Sequence, residues 1–157
     1  MQFLIGIRIT TALFALAGCL PGCVHSSPWQ YQQMASCAPE YQSSKLTLAP
    51  PNPFNGIGIE LIKGEGTTRG FFNVHAGQMA SEEGVIWINN QAICFKGTLM
   101  EGRQRLLLPH AITRDIIHAL AEGNPVTASI QGYATALSDL TAQTALKFKE
   151  LNNNETR

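Results

Sequence analysis

The chain has little charge, and none of it is lopsided. Of 157 residues only 14% are Asp, Glu, Lys or Arg, with eleven acidic side chains against eleven Lys and Arg, for a formal net charge of zero. A protein that wraps phosphate backbones needs a basic field, so nucleic-acid binding has no electrostatic support. No block of like charge marks a disordered acidic or basic tail. No HExxH, CxxC or paired-His spacing is present, which leaves a metal centre without a ligand set, and no G-x-S-x-G elbow frames a serine nucleophile. There is also no apolar run of the roughly 20 residues that a membrane-spanning helix requires. At this length a single folded domain is the default.

What is present is crowded at the front. Residues 1–18 read MQFLIGIRITTALFALAG, with Arg8 and the amino terminus supplying positive charge ahead of a short apolar core from Ile9 to Ala17. That is the layout of a cleaved export signal. It ends in Leu16-Ala17-Gly18-Cys19, where the chain resembles the bacterial lipoprotein class: Leu, a small residue, Gly or Ala, then the Cys that is acylated before the signal is cut. The resemblance implies a covalent diacylglycerol and an N-acyl chain on Cys19 and no other cofactor. Several acyl chains give stable anchoring where one does not. In that class Asp after the modified Cys favours the inner membrane; here Leu20 follows, which implies an outer-membrane anchor, periplasm-facing or surface-exposed. Leu20-Pro21-Gly22-Cys23 is the alternative site, although Pro21 departs from the pattern.

Acylation at Cys19 leaves Cys23, Cys37 and Cys94, whereas acylation at Cys23 leaves Cys37 and Cys94 as a pair. In an oxidising compartment we expect a Cys37–Cys94 disulfide, with buried free thiols as the alternative.

Residues 19–53 hold six of the eight prolines, at 21, 28, 39, 50, 51 and 53, and read as a lipidated tether. Trp29, Tyr31 and Tyr41 interrupt that reading and are expected to pack back onto the domain near a Cys37 staple, with the lipid interface as the alternative. The domain itself is expected over 54–152, with 153–157 as a frayed tail.

Alternation places Ile57, Ile59 and Leu61 on one face of a strand, and a turn over Gly64–Thr68 leads to a second strand from Arg69. Val85–Ile88, Asn89-Asn90 and Gln91–Phe95 spell a hairpin, because paired Asn residues tolerate the positive φ of a two-residue turn. Ile112, Ile116, Ile117 and Leu120 predict a helix over Ala111–Glu122 that stops at Gly123. A strand from Val126, broken at Gly132, and a last helix over about Asp139–Leu151 complete the order. The expected fold is α+β: a small, mainly antiparallel sheet with two C-terminal helices. From Leu106-Leu107-Leu108-Pro109 through Gln131-Gly132-Tyr133 the rhythm is similar to the tail of the invasion-associated locus B family of exported bacterial proteins. That family's paired cysteines have no counterpart around Cys94, and no functional residue carries over.

Catalysis needs convergent groups, and few converge. His110, Asp115 and His118 form the nearest approach to an acid/base set, with an ordinary surface ion pair as the plain alternative. Glu82 and Glu83 are adjacent and point apart on a strand, and Ser129 has no visible activator. Arg103 and Arg105 would share one side of a strand as a basic interaction surface, or serve as a charged edge that resists aggregation. The expected function is therefore a non-enzymatic, membrane-anchored envelope lipoprotein that binds another envelope protein. The alternatives are a small-ligand or lipid-binding module with a pocket among Phe71, Phe72, Trp87 and Tyr133, or an enzyme or enzyme inhibitor built on His110, Asp115 and His118. Cys19→Ala is expected to abolish palmitate labelling and globomycin-sensitive processing. Persistent labelling of that variant, with loss in Cys23→Ala, would move the site to Cys23.

Overall fold

The computed structural model describes residues 29–34, 43–50, 52, 54, 56–64 and 66–137. The export signal, Cys19, Cys23, Cys37, Tyr41, the helix expected over 139–151 and the tail lie outside the described residues.

Among the described residues ten strands and one helix follow in chain order: β1 Trp29–Met34, β2 Ser43–Leu48, β3 Ile57–Gly64, β4 Thr67–Val74, β5 Glu83–Ile88, β6 Gln91–Lys96, β7 Thr98–Leu99, β8 Arg105–Leu107, α1 His110–Ala121, β9 Val126–Ile130 and β10 Tyr133–Ala136. They build a six-stranded sheet, β1-β2-β3-β4-β8-β7, and a four-stranded sheet, β10-β9-β5-β6. Each neighbouring pair is antiparallel.

This corrects the α+β expectation. Among the described residues 56% are strand, in two sheets, with one short helix. The error came from reading proline density as a tether. β1 and β2 lie inside that stretch, flanked rather than interrupted by prolines, and β2 alternates buried Ser44, Leu46 and Leu48 with half-buried neighbours. Trp29 is 5% exposed in the core, whereas Phe54, where the domain was expected to begin, is 76% exposed. The folded unit thus includes Trp29.

Local chemistry explains the turns. Asn89 and Asn90 take φ of 51° and 65° and join β5 to β6 as a two-residue hairpin. Gln131 and Gly132 take 55° and 83° and join β9 to β10 in the same way; the apparent break at Gly132 is a turn. Gly123, at φ 74°, ends α1, with the Gly123 and Asn124 amides donating to the Leu120 and Ala119 carbonyls.

The core lies between the sheets and under α1. Leu46, Ile57, Ile59, Leu61, Phe72 and Leu106 from the larger sheet meet Ile86, Phe95, Val126, Ala128 and Ile130 from the smaller, with Ile112, Ile116 and Leu120 closing one side. Phe72 and Phe95 touch across the interface with ring centroids 6.0 Å apart. A buried polar link joins the sheets as well: the Ile57 amide donates to Thr135 Oγ1 at 3.3 Å.

Gly97 alone separates β6 of one sheet from β7 of the other, so the chain changes sheet in one residue. A Cβ there would sit 2.6 Å from the Leu107 carbonyl oxygen and 2.8 Å from Leu106 Cγ. Gly97→Ala is expected to destabilise the fold by about 1–3 kcal/mol, the usual cost of overpacking, measured by urea unfolding. An unchanged midpoint would show that the crossing has room to spare.

Candidate functional site

With the inner faces buried, chemistry must come from the two outer faces, the edges and the helix surface. The outer face of the six-stranded sheet is largely polar, as alternation favours, with Ile62, Phe71 and Leu107 as apolar members and Lys63 buried on the inward parity. Register places Glu60 opposite Thr47 on β2 and Phe71 on β4, with Asn73 opposite Arg105 on β8. Lys45 Nζ and Arg105 Nη2 each lie 2.5 Å from a different oxygen of the Glu60 carboxylate. The Arg105 guanidinium lies 3.9 Å from the Phe71 ring centroid, a cation–π stack. Phe71 is consequently only 7% exposed although it points outward.

Burial pushes the Glu60 carboxyl up. The Lys45 hydrogen bond, the charges of Arg105 and Lys45 and a hydrogen bond from Asn73 more than offset this and hold it below its ordinary 4.5. Asn73 Oδ1 and Arg105 Nε are buried without a hydrogen-bond partner among the described residues. In this cluster one carboxylate serves two cations, Lys45 and Arg105, so all three charged groups are engaged.

The four-stranded sheet breaks the rule. Its outward residues form two rows of four directly opposed side chains: Ala92, Trp87, Thr127 and Ala136, then Cys94, Val85, Ser129 and Ala134. None carries a charge. Ala92, Cys94, Ala134 and Ala136 are exposed, and Val85, Trp87, Thr127 and Ser129 are half-buried. Charge appears only at one end, where Glu83 faces Lys96. There an open depression of about 580 Å³ is lined by Val85, Cys94, Phe95, Ser129 and Gln131, with Glu83 and Lys96 at its margin. Gly84 shapes its floor, because a Cβ there would meet the Phe95 ring at 2.5 Å.

The residues singled out from the sequence are dispersed. Arg103 takes φ 55° in a turn, and its guanidinium donates to the Met79 and Ala80 carbonyls at 2.9 and 3.2 Å. Arg105 is held by Glu60, so the two arginines share no basic face. Phe71 lies under Arg105, Phe72 is in the core, Trp87 is on the outer face of the smaller sheet and Tyr133 is 44% exposed at the start of β10. The four aromatics line no common cavity among the described residues.

On α1, Asp115 Oδ1 lies 3.6 Å from Arg114 Nε, and His118 Nδ1 lies 3.3 Å from Glu122 Oε2. Asp115 and His118 line a depression of about 270 Å³ beside the β5–β6 turn, which His110 does not reach and which holds no hydroxyl or thiol. Glu82 pairs with Lys96 at 3.6 Å rather than with Glu83. Cys94 is exposed on the outer face of β6, and its expected partner Cys37 lies outside the described residues. Among the described residues no three His, Cys, Asp or Glu side chains gather to hold a metal.

Sequence reasoning named Trp87 and Cys94 separately and missed the uncharged face that joins them. Its signal was the outward positions of β5, β6 and β9, readable only once the parity facing outward is known. Comparison with family models, curated proteins and solved structures returns no match.

Glu60 supplies a test of the charged cluster. A carboxyl held low when folded contributes its stability in full above the ordinary value of 4.5 and loses it as pH falls through the lower folded value. Glu60→Gln is expected to cost about 1–3 kcal/mol at about pH 7, by stranding Lys45 and Arg105, and less at about pH 3, below the ordinary value. Equal costs at the two pH values in denaturant unfolding would contradict this.

Proposed function

We propose that the protein is an envelope lipoprotein, anchored to the outer membrane through acyl chains on Cys19, that binds another envelope protein through the outer face of its four-stranded sheet and catalyses no reaction. One observation carries the reading. The rows centred on Trp87 and Val85 lack the charges that a wet antiparallel face normally displays. Contiguous exposed apolar surface marks contact sites on soluble domains, and six of the eight side chains in these rows are apolar. Trp87 sits among Ala92, Thr127 and Ala136, a large anchor ringed by small side chains, which is the layout of an interface hot spot. The fitting partner is a flat, uncharged protein surface with an apolar centre. The Leu16–Cys19 pattern supplies the tether.

A small apolar ligand is the second reading. The depression beside Val85 and Cys94, at about 580 Å³, exceeds the roughly 300 Å³ that ligand sites need.

A photo-crosslinking residue at Thr127, in living cells, is expected to capture a second polypeptide. Trp87→Glu is expected to lower the yield at least about 30-fold, the equivalent of about 2 kcal/mol at a hot spot. Ala134→Arg, on an exposed edge position, should lower it without touching the core. Capture that is indifferent to both changes, or no capture with a lipid or metabolite retained in native mass spectrometry, would overturn the protein-binding reading.

A further inference from the structure

Among the described residues the two sheets end in four edges, and three of them are protected. β7 has two residues, β10 has four, and β6 ends in Lys96. Short strands and edge lysines are the ordinary means by which proteins prevent edge-to-edge pairing. β1 has none of them. Trp29–Met34 reads WQYQQM, with no charge, no proline and no glycine. It is paired to β2 residue for residue over its whole length, from Trp29 opposite Leu48 to Met34 opposite Ser43, with no bulge to turn the edge away. No strand lies along its other side among the described residues.

We infer that β1 is a pairing edge whose occupant is a second copy of this chain, antiparallel to the first across a two-fold axis. Its chemistry is self-complementary. A two-fold perpendicular to the sheet through Tyr31 sets Gln30 of one copy opposite the second copy's Gln32. Glutamine carries both an acceptor and two donors, so identical residues satisfy one another where identical charges would repel. The same axis brings the two Tyr31 rings together. Tyr31 is 38% exposed and is one of four large hydrophobic side chains left exposed among the described residues. The product is one continuous antiparallel sheet with six strands from each copy, an isologous contact that closes on itself and propagates no fibre. It leaves the Trp87 face on the other sheet free, so dimerisation and the proposed partner contact occupy separate surfaces.

The test uses two differently tagged full-length copies in one cell, with a photo-crosslinking residue at Gln32. The expected product carries both tags. Gln30→Lys/Gln32→Lys in both copies puts like charges opposite each other and is expected to cut that product roughly three- to tenfold. Combining it with a Gln30→Glu/Gln32→Glu copy is expected to restore the yield, which loss of folding would not do. Crosslinked products that never hold both tags, that contain a different polypeptide, or that persist in the doubly Lys-substituted pair would overturn the inference. Because Trp87→Glu leaves β1 untouched, it should not alter this product, so the two proposals fail separately.

Discussion

The contact between Phe72 and Phe95 is the point on which the two-sheet arrangement depends. One ring comes from the middle of the larger sheet and the other from an edge strand of the smaller, 6.0 Å away. Phe95 reaches that position because Gly84, directly opposite it on β5, leaves space for its ring. Two residues later Gly97 lets the chain pass to the other sheet against the Leu107 backbone. Two glycines and one aromatic pair thus set how the sheets stack, and the aliphatic residues of β2, β3, β8 and β9 fill what remains. Dense filling is what makes each such position sensitive to one added methyl.

Once the inner faces are committed to each other, the outer faces are free to differ, and they do. On the larger sheet Lys45 and Arg105 both pair with the single Glu60 carboxylate, and the Arg105 guanidinium covers Phe71, leaving a charged surface. On the smaller sheet no charge interrupts the two rows around Trp87. An uncharged outer face contributes nothing to folding that polar residues would not, and it costs solubility. The partner contact proposed for it would cover that surface.

Much of this was legible in the chain. Asn89-Asn90 between two β-rich runs announced its hairpin, and Gly123 after an apolar stripe ended the helix, because both signals are local backbone chemistry. β1 and β2 were hidden because prolines at 28, 39, 50 and 51 bracket them, and proline density measures the connections rather than the strands between. Gln131-Gly132 looked like a break because glutamine gives no warning of positive φ. Period-two alternation told which residues share a face but not which of two sheets they join, so one sheet was expected where two exist. At the candidate site the arginines misled for a related reason: alternation from Arg103 to Arg105 assumes a strand, and Arg103 stands in a turn.

Hydroxyl-radical footprinting tests the central claim most directly, by comparing the intact envelope with purified protein. If the uncharged face is the one that is occupied, Trp87 oxidation falls several-fold in the envelope while Tyr133, three positions along β10 from the Trp87 row and of the opposite parity, changes little. Equal Trp87 oxidation in both settings would show that the face stays bare, and the account would lose its foundation.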